Sequence, residues 1–100
     1  MKTNILYIED HPENMTLVRR ILRPERYNLI EARSGSQGIR IAESQDVDVI
    51  LLDLELPDID GYEVALRLRN SEKTKLSRVP IIAVAAHPAR GDAIKVFGAG

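Results

Sequence analysis

Val47-Asp48-Val49-Ile50-Leu51-Leu52-Asp53 holds four successive apolar residues, Val49 to Leu52, and then stops on a carboxylate. An unbroken apolar run this short suits a strand covered on both faces, which places it at the centre of a parallel sheet. The loop Leu54-Glu55-Leu56-Pro57-Asp58-Ile59-Asp60-Gly61 follows, and helical spacing resumes from Tyr62 to Leu68 through Val64, Ala65 and Leu68. Strands alternating with helices imply βαβ units with right-handed crossovers.

The same order recurs on both sides of this segment. Asn4-Ile5-Leu6-Tyr7-Ile8 is a β-rich run that ends on Glu9-Asp10. Pro12 then opens a helix carrying Met15, Val18, Ile21 and Leu22 on one face, and Pro24 stops it. Tyr27 to Ala32 reads as a second strand, Ser34-Gly35-Ser36 as a turn and cap, and Gln37 to Ser44 as a short helix. Asn70 to Arg78 is a polar connection, Val79 to Ala85 a fourth strand, and the spacing predicts a helix over Gly91 to Phe97. The expected fold is α/β: a flavodoxin-like, doubly wound parallel sheet with strand order 2-1-3-4. Its last strand would be an apolar, uncharged edge of the kind proteins usually avoid.

Composition excludes several classes. One hundred residues make one domain with one modest core. Fourteen Lys and Arg against fifteen Asp and Glu leave a net charge of −1 with no dense basic block, so nucleic-acid binding has little footprint. The absence of Cys rules out disulfides and Cys-ligated zinc. Five residues precede Glu9 in the first apolar run, too few for a signal segment, and no run approaches the ~18 residues of a membrane span. A cytoplasmic protein is expected.

With strand order 2-1-3-4, Glu9, Asp10 and Asp53 converge at the switch point of the sheet. Carboxylates that close raise one another's pKa, and a hard divalent cation relieves the repulsion. Mg²⁺ takes oxygen ligands and keeps waters, so two carboxylates, a main-chain carbonyl and solvent suffice to hold it. A carboxylate in such a site can also act as a nucleophile. His11 and His87 are read as capping or solvent-facing, because Mg²⁺ prefers oxygen. Arg19, Arg20, Arg67 and Arg69 are read as solvated charges on exposed helix faces.

Ile8-Glu9-Asp10, the stretch Leu51 to Gly61 and Pro80-Ile81-Ile82-Ala83-Val84 together resemble the receiver domain of two-component response regulators. The resemblance spans residues 1–100. It implies that Asp53 accepts a phosphoryl group from a sensor histidine kinase or a phosphotransfer protein. It also implies that Asp10 and Asp53 ligate Mg²⁺ directly, that Glu9 acts largely through water, and that the main-chain carbonyl of Glu55 completes the protein's share. Pro57 and Gly61 would shape the loop, while Ala86 to Asp92 is similar to the loop and helix start of single-domain and hybrid-kinase receivers. The implied partners are the phosphoryl donor and a downstream effector protein, with no direct contact to nucleic acid or membrane. The implied chemistry is self-phosphorylation with autodephosphorylation at most, not enzymatic turnover.

Two departures stand out. Ala85 occupies the position where the family usually has a Ser or Thr hydroxyl, so the phosphate-sensing donor is missing. The family's lysine and switch aromatic lie on a fifth strand that, with its helix, has no counterpart here, so the domain is expected to be incomplete at its C-terminus. A homodimer or a strand swapped between copies could supply the missing piece. Ala85 favours a rival reading, a degenerate receiver that binds partners whatever its phosphorylation state. A phosphatase with an aspartate nucleophile is a further rival, since Glu55 stands two residues after Asp53, but nothing resembling its second catalytic domain is present.

Overall fold

The computed structural model describes residues 2–87 and 92–97, with side-chain surroundings described through Val84. Its elements run β1 (Thr3–Ile8), α1 (Pro12–Ile21), β2 (Tyr27–Ala32), α2 (Gly35–Ser44), β3 (Val49–Asp53), α3 (Gly61–Arg69), α4 (Thr74–Ser77), β4 (Ile81–His87) and β5 (Asp92–Phe97). The strands form one sheet in the order β2-β1-β3-β4-β5. β1 pairs in parallel with β2 and β3, and β3 with β4, which is the 2-1-3-4 order that the alternating pattern predicts.

The segment 92–97 departs from expectation. It is an extended strand paired antiparallel to β4, not a helix. The β-formers Ile94, Val96 and Phe97 compete well for a strand, and the open N–H and C=O groups of β4 offer them a ladder that a helix would leave unpaired. β4 is therefore not an edge, and a fifth strand is present, though antiparallel and not reached through a helical crossover. Pro88, Ala89, Arg90 and Gly91, in the loop likened to those of other receivers, lie outside the described residues. So do Gly98 to Gly100, and so do the side-chain surroundings of Ala85 and His87.

Local chemistry sets the helix boundaries. Pro12 starts α1 at the position where its missing N–H costs nothing. Ser34 caps α2 by accepting from the Gln37 amide, and Asp60 caps α3 by accepting from the Glu63 amide. The polar connection after α3 holds the single-turn α4. From it Lys73 Nζ donates to the carbonyls of Ala42, Glu43 and Gln45, each at 3.3 Å, and so satisfies the C-terminal end of α2. Three of the arginines read as merely solvated have partners. Arg19 donates twice to Glu31 Oε2 at 2.9 and 2.7 Å, Arg67 pairs with Glu63, and Arg69 donates to the Val79 carbonyl at 2.6 Å.

The pleat sorts side chains to two faces. Leu6, Ile8, Ile50, Leu52 and Ile81 point to one face and pack against Ala42 of α2 and Val64 and Leu68 of α3. Gly38 lets α2 lie close to β1, since a Cβ there would stand 2.4 Å from Ile8 Cδ1. Tyr7 points to the other face, against Met15 and Val18 of α1. Glu9 and Asp53 follow Tyr7 and Leu51 by two residues on their strands, so they inherit the α1 face. Because Ile8 pairs with Leu52, the next step outward sets Glu9 opposite Asp53.

Candidate functional site

Glu9 is 2% exposed and Asp53 6%, an expensive pair of carboxyls to withdraw from water unless each is held. Glu9 is held by a set of donors. The Tyr7 hydroxyl donates to Oε1 at 2.9 Å and Asn14 Nδ2 to the same oxygen at 3.2 Å, while the His11 amide reaches Oε2 at 3.3 Å. Asp53 accepts from the Glu55 amide at 3.1 Å. Asp10 is less enclosed, yet its Oδ1 is buried and has no hydrogen-bond partner; His11 Nδ1 stands 3.1 Å away without the alignment for a bond.

The electrostatics follow from this packing. Burial first, and then the hydrogen bond and charge of Glu9, push the Asp53 carboxyl from its ordinary 3.8 up to about 7. For Glu9, burial pushes upward too, but the bonds from Asp53, Tyr7 and His11 outweigh it and hold the group below its ordinary value. The two carboxyls thus respond in opposite senses, Asp53 holding its proton more tightly than an ordinary carboxyl and Glu9 less tightly. Burial chiefly, with the Glu9 charge second, drives the Tyr7 phenol far above its ordinary range, so it remains an O–H donor. The bond to Glu9, then the Asp10 charge, raise the His11 pKa against partial desolvation.

The loop after Asp53 is fastened at two points. Gly61 comes so near the strand end that a Cβ would stand 2.7 Å from the Asp53 carbonyl oxygen and from Leu54 Cα, a close approach open only to glycine. Asp58 reaches across to α2, accepting from the amides of Gly35 and Ser36, each at 2.9 Å, and from the Ser36 hydroxyl at 2.6 Å. The Ser36 hydroxyl and amide hold the Asp58 carboxyl well below the usual carboxylate range.

The sequence-derived candidates therefore divide. Ligand atoms of Glu9, Asp10 and Asp53 gather within 4.8 Å of one another, and His11, read as a bystander, joins them. Glu55 sits beside Asp53 through its amide, with its side chain exposed. Ala85 is one residue beyond Val84, the cross-strand partner of Asp53. Tyr7, Asn14 and Asp58 went unnoticed in the sequence. Tyr7 carried a signal: two residues from Glu9 on a strand, it must share its face.

A parallel sheet with carboxylates gathered at its switch point defines a doubly wound α/β protein with a ligand crevice at the carboxyl ends of β1 and β3. The chain belongs to the response regulator receiver domain family, which it matches over residues 5–100. It is 35% identical over 92 residues to the polar-differentiation response regulator DivK of Brucella ovis, an alignment covering 92% of this chain and 73% of that protein. Among solved structures it is similar to the receiver domain of the sensor histidine kinase PA1611 from Pseudomonas aeruginosa PAO1, which has a magnesium ion coordinated in its active-site cleft. That match has a TM-score of 0.78 at 39% identity and covers 92% of this chain and 74% of the other. The response regulator TrrA of Thermotoga maritima, in complex with Mg²⁺ and BeF, matches with a TM-score of 0.76 at 31% identity, over 92% of this chain and 76% of that one.

Proposed function

We propose that this receiver domain accepts a phosphoryl group on Asp53. The observation that carries the reading is the placement of the Asp53 carboxyl at the end of β3, directly opposite Glu9 and within reach of Asp10. In the transfer, an Asp53 oxygen attacks phosphorus in line, the O–P bond forms as the donor's N–P bond breaks, and the departing imidazole takes up a proton. Hydrolysis of the acyl phosphate by water returns the carboxylate and inorganic phosphate.

The residues fit a hard divalent cation. The orphaned, buried Oδ1 of Asp10 lacks a donor, burial and the neighbouring Glu9 make charge on Asp53 costly, and the oxygen donor set matches Mg²⁺. Asp10 and Asp53 would hold it directly, Glu9 through water, and Glu55 through its main-chain carbonyl. Held there, Mg²⁺ would supply charge neutralisation on the transferring group. The chain's own residues do the rest: Tyr7 and Asn14 fix Glu9, Glu55 orients Asp53 through its amide, and Gly61 and Asp58 set the loop that frames the entrance.

The donor would be a sensor histidine kinase or phosphotransfer protein in the cytoplasm, and a downstream effector protein would read the result. Added charge at Asp53 would bias the surface between two arrangements. Ala85 offers no hydroxyl to the phosphate, so this bias should be weak, and that position favours a second reading: a receiver whose surface binds its partner whether or not Asp53 is modified. Among the described residues no helix is long and apolar enough to cross a membrane. Intact-mass analysis after incubation with acetyl phosphate and Mg²⁺ separates the two readings. The phosphoacceptor reading expects a single phosphate adduct, absent from Asp53→Asn and absent without Mg²⁺. No adduct from a folded sample would leave the interaction module.

A further inference from the structure

Arg19-Arg20-Ile21-Leu22-Arg23-Pro24-Glu25-Arg26 carries four of the fourteen basic residues of the chain and one of its fifteen acidic ones, so this short stretch holds a charge of +3 in a molecule of net charge −1. Arg19 is taken by Glu31. Arg20, Arg23 and Arg26 are exposed, and among the described residues their guanidiniums have no hydrogen-bond or ion-pair partner. They surround an open concavity of about 430 Å³ whose wall also includes Leu22 and Pro24; Arg23 and Arg26 also line a second, of about 410 Å³, together with Ile21 and Tyr27. The backbone beneath is fixed. The Arg23 carbonyl accepts from the amides of Arg26 and Tyr27, each at 3.0 Å, with Pro24 at the corner of the turn, and the Arg26 carbonyl accepts from the Thr3 amide at 3.0 Å. The turn enters β2 at Tyr27, opposite Thr3, whereas the crevice lies beyond Ile8 and Ala32 at the other end of the same strands, roughly 17 Å away along the strand.

We propose that this basic turn is a docking surface for an acidic segment of a partner protein, separate from the phosphoacceptor crevice. Charge complementarity sets the sign of the partner, and the residue type narrows its chemistry. A guanidinium is a planar fork that takes a carboxylate by two parallel bonds, and it is more weakly hydrated than an ammonium, so it gives up water more readily. Arg20, Arg23 and Arg26 recur every three residues across the end of α1 and the turn, which suits acids spaced along a chain, while Leu22 and Pro24 offer apolar contact to a side chain lying between those acids. The turn is already tied by backbone hydrogen bonds, so its backbone needs no ordering on binding. Other anionic surfaces fit less well. Three free guanidiniums neutralise few phosphates, and no dense basic block extends the footprint for a nucleic acid. A bilayer is flat and would leave the concavity unfilled.

The test is fluorescence anisotropy of the full chain with a short fluorescein-labelled peptide of glutamate interrupted by leucine, comparing wild type, Arg23→Gln, Arg26→Gln and Arg40→Gln. Arg40 on α2 is also exposed and without a partner among the described residues, so its variant removes the same charge from a different surface. Peptide affinity is expected to fall at least about 3-fold in Arg23→Gln and in Arg26→Gln, to stay near wild type in Arg40→Gln, and to weaken as salt is raised. In NMR titration the backbone amides of residues 22–27 should shift, while those of Glu55 and Gly61 stay in place. No binding to wild type up to about 1 mM peptide, a loss in Arg40→Gln as large as in Arg23→Gln, or shifts confined to the crevice overturns the proposal. Arginine-dependent binding of single-stranded oligothymidylate or of phosphatidylglycerol vesicles that exceeds peptide binding overturns the choice of partner. Labelling of Asp53 by acetyl phosphate should be unchanged in Arg23→Gln and Arg26→Gln, so the failure of either reading leaves the other standing.

Discussion

Asp53→Asn should make the cation-free protein more stable at pH 8, although it removes the residue around which the site is built. Asn keeps the shape of Asp and can donate to Glu9, but it can never bring a second negative charge into the pocket. The Asp53 carboxyl stands at about 7 in the fold against an ordinary 3.8. A group raised in this way contributes its stability in full below its unfolded pKa and loses it as pH rises through the folded one. At ~1.36 kcal/mol per pH unit, that interval sets a ceiling of roughly 4 kcal/mol. Glu9 works in the opposite sense. Its lowered pKa gives stability above its ordinary 4.5 that is lost as pH falls, and local relaxation softens both effects. About half the ceiling, ~2 kcal/mol, should survive, equivalent to roughly 10 °C in Tm for a domain of this size. The assay is urea unfolding with EDTA present, followed by far-UV circular dichroism from pH 5 to pH 8. The variant should gain its advantage progressively across that range, and added Mg²⁺ should stabilise wild type while leaving the variant nearly unchanged. A variant no more stable than wild type at pH 8, or an advantage that grows toward pH 5, would refute the reasoning.

Other perturbations read out different parts of the site. Tyr7→Phe deletes the 2.9 Å donor to buried Glu9 and should cost about 1–3 kcal/mol in urea unfolding at pH 8. Gly61→Ala forces a Cβ to within 2.7 Å of the Asp53 carbonyl oxygen. With the fold retained by circular dichroism, acetyl phosphate should label it at least roughly tenfold more slowly, because small misplacements of a reacting group are costly. Asp58→Ala frees the first amides of α2, so hydrogen exchange at Gly35 and Ser36 should quicken while stability falls by about 1 kcal/mol, the usual worth of a helix cap.

The order of the four parallel strands was legible because apolar runs, caps and prolines all agreed, and the carboxylates were legible because they end two of those runs. What escaped the sequence has specific causes. Residues 92–97 carry a pattern short enough to serve either a helix or a strand, and the open ladder of β4 decided for the strand. Asp58 looked like one more loop acid, since nothing local says that it will span 22 positions to cap another helix. His11 was set aside on the preference of Mg²⁺ for oxygen, which is sound chemistry for that ion but says nothing of where the ring points. The arginines were misjudged because a charge on a helix face carries no mark of the carbonyl or carboxylate that folding brings beside it.

The buried phenol of Tyr7 equips this chain with an optical gauge of its own pocket. There is no Trp, and of three tyrosines only Tyr7 is fully enclosed, with Tyr62 72% exposed and Tyr27 on the edge strand far from the carboxyls. Tyrosine absorbance shifts with the strength of the hydrogen bond its hydroxyl donates, and here that bond ends on Glu9. Titration of Asp53, arrival of a cation or modification of Asp53 each alters the charge around Glu9 and so the bond it accepts from the ring. An ultraviolet difference spectrum of the unlabelled protein should therefore follow events at the crevice in real time, a signal that Tyr7→Phe abolishes.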